Sequence, residues 1–233
     1  MAFKRLRVKV RRHAQRPTNQ GIGIFTSLLT SSGEKKSRAL AKHLRIHGIQ
    51  PKVYTTELKR NIRTGQLIRR GTQSPYPQRT RSWGKYFIKP TAPKKELEEV
   101  FKGEAHDIIK KWLKGEVSER VLYSPHECAI NTLHLLRFFP RATQRAQKYS
   151  YKGPTHAEFI AHDVTIAALL HELTGQVPVP KPEKEYVRPL EALQFTFTPN
   201  QITLRFRGKN YNVTQKFNEL VQEARAFKKS KPA

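Results

Sequence analysis

The chain has 233 residues, enough for one domain or two, and its 37% hydrophobic and 9% aromatic side chains exclude wholesale disorder. Its 45 Lys and Arg against 18 Asp and Glu give a formal net charge of +27, which points to an anionic partner: a phosphorylated metabolite, nucleic acid or an acidic membrane surface. A single cysteine, Cys128, excludes an internal disulfide framework and a cysteine-built zinc site.

Met1-Ala-Phe-Lys-Arg-Leu-Arg7 has cations but no apolar stretch behind them, unlike a secretory signal. No apolar run approaches the roughly 20 residues that span a bilayer. The expectation is a cytoplasmic protein with no membrane association.

Val8 and Val10 alternate with cations and predict a first strand. Ser31 with Glu34 three residues on predicts a capping box, and Leu40 and Leu44 carry a helix to Gly48. Lys52-Val-Tyr-Thr55 reads as a second strand, followed by a helix with Leu58, Ile62 and Leu67. Residues 70–95 hold four prolines, four aromatics and no acid; the expectation is a long basic loop or lid. Leu97, Val100, Phe101, Ile108, Ile109, Trp112 and Leu113 then predict one helix ending at Gly115. Arg120–Tyr123 is a strand candidate, and Ala129, Ile130, Leu133 and Leu136 mark the next helix. After an irregular basic stretch at 137–153, His156–Ala161 reads as a buried strand and Ile166–Leu173 as a helix closed by Gly175. Leu193, Phe195 and Phe197, a Pro199-Asn200 turn, then Ile202, Leu204 and Phe206 predict a hairpin. A last helix runs through Phe217, Leu220 and Ala224.

This alternation predicts an α/β fold: a three-layer domain with a central, mostly parallel sheet between helices and a C-terminal antiparallel hairpin. The boundaries expected are one domain over 1–228 and a flexible basic tail at 229–233.

Three spots fall at C-terminal strand ends, where open α/β sheets bind ligands. They are Arg11-Arg12-His13-Ala14-Gln15-Arg16, Arg60, and His162-Asp163. Taken singly, each has a plainer explanation: a solvated basic arm, a surface cation, and a helix cap. Together they can perform phosphoryl transfer. Imidazole can attack phosphorus, guanidiniums bind phosphate oxygens in pairs, and a carboxylic acid can protonate a leaving oxygen.

On these residues the chain resembles the histidine phosphatase superfamily, which includes phosphoglycerate mutases and histidine acid phosphatases. The family opens with Arg-His-Gly after strand one, here Arg12-His13-Ala14, and continues with Leu-Thr-x-x-Gly, here Leu29-Thr30-Ser-Ser-Gly33. Its second block reads Thr56-Glu-Leu58-Lys-Arg60-Asn-Ile-Arg-Thr64, and its late block Phe159-Ile-Ala-His162-Asp163. The blocks stand in the family's order over residues 8 to about 174.

The resemblance implies phosphomonoester hydrolysis through a phosphohistidine. His13 would be the nucleophile, and Arg12, Arg16 and Arg60 would bind the phosphate. His162 would add a hydrogen bond, and no metal or other cofactor is implied. The mutase-like branch takes its proton donor from the segment after the second-arginine helix, but no acid occurs between Glu57 and Glu96. The acid-phosphatase branch uses the Asp after the late His, here Asp163, so the chain looks nearer that branch. Ser124-Pro-His126-Glu127 is an alternative late block, or simply a helix start. Ala14 replaces the motif glycine, an adverse change if the backbone there needs positive φ.

A second reading is a catalytically weak or inactive phosphatase-fold protein that binds nucleic acid or a ribosome through its basic surface. It rests on the +27 charge, on Lys4, Arg5, Arg7, Lys9 and Arg11, and on the basic-aromatic stretch 76–89.

Overall fold

The protein's computed structural model describes residues 5–15, 28–80, 88–89, 91–102, 105–139, 155–177 and 187–229. In chain order the elements are β1 (Leu6–Arg12), α1 (Ser31–Ile46), β2 (Lys52–Thr55), α2 (Lys59–Gly71), β3 (Arg79–Thr80), α3 (Lys94–Val100) and α4 (Ala105–Leu113). Then come α5 (Pro125–Leu136), β4 (His156–Ala161), α6 (Asp163–Thr174), β5 (Ala192–Phe197), β6 (Ile202–Phe206), β7 (Lys209–Asn212) and α7 (Thr214–Lys229).

The seven strands form one sheet in the order β3-β2-β4-β1-β5-β6-β7. The first four are mutually parallel and the last three antiparallel. The α/β expectation holds, and the hairpin joins the main sheet, with β5 pairing antiparallel to β1. Strands β1 and β4 lie at the centre; β4 is buried along nearly its whole length, as a parallel strand covered by helices requires, and β1 buries all but Arg7 and Lys9, which are half-buried. On one side, Phe195 and Phe197 pack against Phe217 of α7, joining Leu6, Val8 and the α5–α6 apolar residues in the main core. On the other, Leu44 of α1 and Ile68 of α2 pack with Val53 and Ile160.

Four local expectations change. The N-cap of α1 is Thr30, whose hydroxyl accepts from the Gly33 amide at 3.0 Å, so the cap sits one residue before Ser31. The single helix expected over 97–115 is two, α3 and α4; Gly103, a poor helix former, falls in the gap. Arg120–Tyr123 is not a strand. Val121 and Leu122 both donate their amides to the Ser118 carbonyl in a turn, and only Leu122 bridges to Ile88. A further strand, β7, follows a two-residue turn in which Arg207 and Gly208 both have positive φ, the hairpin geometry that favours glycine.

In the basic segment, α2 runs to Gly71, and Arg79–Thr80 adds an edge strand beside β2. The remainder of that expected lid at 81–87, the 229–233 tail beyond Lys229, and Lys4 lie outside the described residues. No described helix is long and apolar enough to cross a membrane.

The start of α1 also holds the loop after β1. Thr30 donates its amide to the Gln15 carbonyl at 3.1 Å. A Cβ on Gly33 would come within 2.3 Å of that same carbonyl oxygen. Gly33→Ala gains up to about 1 kcal/mol of helix propensity, but forcing apart two backbones costs about 1–3 kcal/mol. We expect net destabilisation, seen as a lower Tm by thermal denaturation, together with reduced function of the adjacent strand-end site. A variant as stable and active as wild type would show that this contact does not position the loop.

Candidate active site

Parallel pairing of β1 with β4 sets the geometry. Arg12 is opposite Ala161, so both strands end level. The His13 amide extends the ladder by donating to the Ala161 carbonyl at 3.1 Å. His13 and His162 are therefore side by side, with ring centroids 5.5 Å apart. Strand β2 flanks β4 on its other side, and α2 leaves β2 almost at once, which brings Arg60 to the same edge. The Arg60 Nε donates to His13 Nε2 at 3.0 Å. All three side chains are buried.

These partners fix the tautomer of His13. A carbonyl can only accept, so Nδ1 carries the proton and donates to the Ala14 oxygen at 2.6 Å. A guanidinium can only donate, so Nε2 holds its lone pair toward Arg60. Burial, with the charges of His162, Arg60 and Arg12 behind it, holds His13 well below the ordinary imidazole pKa. The ring is thus neutral, with a basic nitrogen facing the other site groups. Ala14 is absent from the residues with positive φ, so its methyl group imposes no left-handed strain.

Arg12 lies between two anchors. One Nη donates to the Val187 carbonyl, and the other is 3.3 Å from Asp163 Oδ2. Asp163 is the first residue of α6, where a carboxylate meets the positive end of the helix. The cap position is His162, which makes no side-chain capping bond. Asp163 Oδ1 accepts from the Val164 amide at 3.0 Å, and its side chain is 25% exposed. Arg16 lies outside the described residues.

The alternative pair stands elsewhere. His126 is held by Glu172 of α6 at 2.8 Å and Glu223 of α7 at 2.6 Å. Glu127 closes a capping box with Ser124. Neither touches the strand-end cluster.

Arg11 does not join the site either. It forms a two-point ion pair with Glu158 on β4, at 2.7 and 3.1 Å, and donates to the Leu190 carbonyl at 2.5 Å. Both partners are buried. Removing one member of such a pair costs about 3–5 kcal/mol, so this link fixes the level of the two site-bearing strands.

Sequence reasoning gave no role to three supporting residues. Asn61 donates from Nδ2 to the Ile160 carbonyl at 3.2 Å, contacts Thr56 Oγ1 at 2.6 Å, and lies 3.3 Å from His162 Nε2. Thr64 accepts from the Ala14 amide at 3.2 Å while donating to the Arg60 carbonyl at 2.8 Å. Thr56 and Thr64 lie within the second block, but their partners come from distant parts of the chain. Asn61 carried no signal of its own.

Neither a protein-family model nor a curated protein matches the sequence. Solved structures do. A phosphoglycerate mutase from Bacillus anthracis superposes with a TM-score of 0.60 at 15% identity, over 95% of this chain and 97% of that one. A mycobacterial glucosyl-3-phosphoglycerate phosphatase gives 0.59 at 16%, over 88% and 99%. A phosphoserine phosphatase mutant from Entamoeba histolytica, in complex with phosphoserine, gives 0.55 at 14%, over 91% and 98%. The fold is that of the phosphoglycerate mutase-like histidine phosphatases. At these identities the likeness establishes architecture alone.

The histidines make stability depend on pH with opposite signs. His13 is buried neutral with a lowered pKa. As pH falls below the unfolded value near 6.5, the unfolded chain takes up a proton that the folded site refuses, and stability drops. His156, lowered by burial and then by Arg7 and Lys9, acts in the same direction. His126 opposes them: burial works against its charge, but the hydrogen bonds to Glu172 and Glu223 and the charges of those carboxylates together raise its pKa. Its stabilisation is full below about 6.5 and fades as pH rises through the raised value. Denaturant titrations at pH 7.5 and 5.5 check this. His126→Asn should steepen the acid-side loss and His13→Gln should reduce it. Unchanged pH dependence in both would refute the assignment.

Proposed function

We propose that the chain is a phosphomonoester hydrolase acting through a phosphohistidine on His13. What carries the proposal is the tautomer: Nδ1–H tied to its own strand end, and an unprotonated Nε2 among guanidiniums. A phosphate dianion gives Arg60 a stronger acceptor than imidazole, which releases the Nε2 lone pair for attack. The N–P bond forms as the bond to the leaving alcohol breaks, and Asp163 supplies that oxygen with a proton. Water then attacks the phosphohistidine, and Asp163 takes its proton back. Arg12 and Arg60, with Arg16, offset charge on the equatorial oxygens, the dominant contribution in phosphoryl transfer. His162 adds a hydrogen bond. The donor role given to Asp163 is that of the acid-phosphatase branch. It is supported by position, since Asp163 stands beside the proposed phosphate-binding Arg12, and by the lack of acids between Glu57 and Glu96; Arg12 favours the ionised carboxylate, so the proton is held only once a phosphate dianion takes over the guanidinium.

The substrate class is a phosphorylated small molecule, by likeness to the named phosphatases. A panel of alkyl and aryl phosphomonoesters, assayed for released phosphate, tests the proposal. No turnover on any member would leave the second reading, an inactive phosphatase-fold protein.

A further inference from the structure

The positive charge is unevenly placed. Residues 28–80, which carry α1, β2 and α2, hold 12 Lys and Arg against two Glu, whereas residues 91–139 hold eight of each. Residues 155–177 hold three acids and no Lys or Arg. Residues 28–80 thus carry +10 of the chain's +27, most of it on α1 and α2.

There it lines a groove of about 340 Å³ between the two helices. Arg38, Lys42 and Arg45 of α1 stand at spacings of four and three, which makes one helical face. Arg63 and Arg70 of α2 stand opposite, over a floor of Leu67 and Gly71. The helices approach closely: a Cβ on Gly71 would come within 2.5 Å of the Ala41 methyl carbon. Glu34 sits at one end, 3.4 Å from Arg38 and 2.6 Å from Arg63. Among the described residues, no carboxylate pairs with Lys42, Arg45 or Arg70. Like charges at spacings of three and four weaken α1. None of the lining residues belongs to the strand-end site.

We propose that this groove docks the sugar-phosphate backbone of double-helical nucleic acid. From Arg38 to Arg45 the row is roughly 10 Å long at 1.5 Å per residue. A duplex presents one phosphate per roughly 1.7 Å of axis, so such a patch faces several at once. No aromatic residue lines the groove, so it lacks the stacking platform that single strands use. Recognition is of backbone charge, without sequence. The inference is independent of the hydrolytic proposal.

The test is fluorescence anisotropy of a labelled 20-base-pair duplex, with the full chain, between 50 and 200 mM salt. Lys42→Gln/Arg45→Gln/Arg70→Gln should weaken binding about tenfold or more at low salt. The slope of log affinity against log salt should flatten by about 0.9 per lost phosphate contact. Lys95→Gln/Lys110→Gln/Lys111→Gln removes the same charge from α3 and α4 and should stay within about twofold of wild type. The groove variant should melt at or above the wild-type temperature, which separates lost binding from lost folding. Turnover of an aryl phosphate should be the same in all three proteins. Equal losses in both variants would make binding a matter of bulk charge and overturn the proposal, as would no loss in the groove variant. Tighter binding of a single-stranded 20-mer, or binding of polyglutamate without binding of duplex, would also overturn it.

Discussion

His13→Ala is expected to abolish measurable turnover of any phosphomonoester that the wild type hydrolyses, a loss on the order of 10³–10⁶-fold by comparison with other deleted nucleophiles. At about 1.4 kcal/mol per factor of ten, that is roughly 4–8 kcal/mol of transition-state stabilisation. The size follows from the site. Among the described residues at the strand edge, His13 is the side chain whose lone pair lies against a guanidinium, and without it Arg12 and Arg60 could hold a phosphate but not accept it covalently. Quenching the wild type during turnover should trap acid-labile, base-stable phosphate on the protein, and the variant should trap none. Phosphate trapped instead on a serine or an aspartate would end the phosphohistidine assignment. The buried His13 is also a folding element, so near-UV circular dichroism of the variant must match wild type before its inactivity is interpreted.

Local pattern carried most of the sheet: His156–Ala161 reads as the apolar run of a strand buried on both faces and Leu193–Phe197 as the alternation of a strand with one apolar face, whereas the short edge strands β3 and β7 carry neither pattern. Strand ends gave the candidate residues, since parallel topology must bring such ends to one edge. Other features depended on contacts between distant residues. Arg11 and Arg12 are adjacent in sequence, yet strand alternation sends one to Glu158 and the other toward Asp163. Nothing in the sequence announced that segment 187–191 would hold both arginines through the Leu190 and Val187 carbonyls. Asn61 resembled any other polar helix residue until β4 placed the Ile160 carbonyl and His162 beside it. The helix expected over 97–115 failed for a local reason. Its apolar spacing stays in phase across Gly103, so periodicity alone hid the break.

The role proposed for Asp163 predicts selectivity by leaving group. An alkoxide departs poorly, so an alkyl phosphate needs its bridging oxygen protonated as the bond breaks. A nitrophenolate is stable enough to leave with little help. General acid assistance contributes on the order of 10²–10⁴-fold. Asp163→Asn should therefore lose about that much on the alkyl ester and far less on the aryl ester. Asparagine can still accept from the Val164 amide, as Asp163 Oδ1 does at 3.0 Å, so the helix start should survive. What it cannot do is give up a proton. Loss of the same group from the second step should let a phosphoenzyme build up with the aryl substrate, visible as a burst of phenolate. Glu127→Gln is the control. Its carboxylate closes the α5 capping box on Ser124, which a glutamine side chain can also close, so the change should cost only the charge at the helix N-terminus, about 0.3–1 kcal/mol, and leave the ratio of alkyl to aryl turnover unchanged. If Asp163→Asn matched wild type on both esters while Glu127→Gln showed the selective loss, the proton donor would be Glu127. His126 and Glu127 would then take the part here given to His162 and Asp163, and α5 would have to move its first turn to the strand edge to serve it.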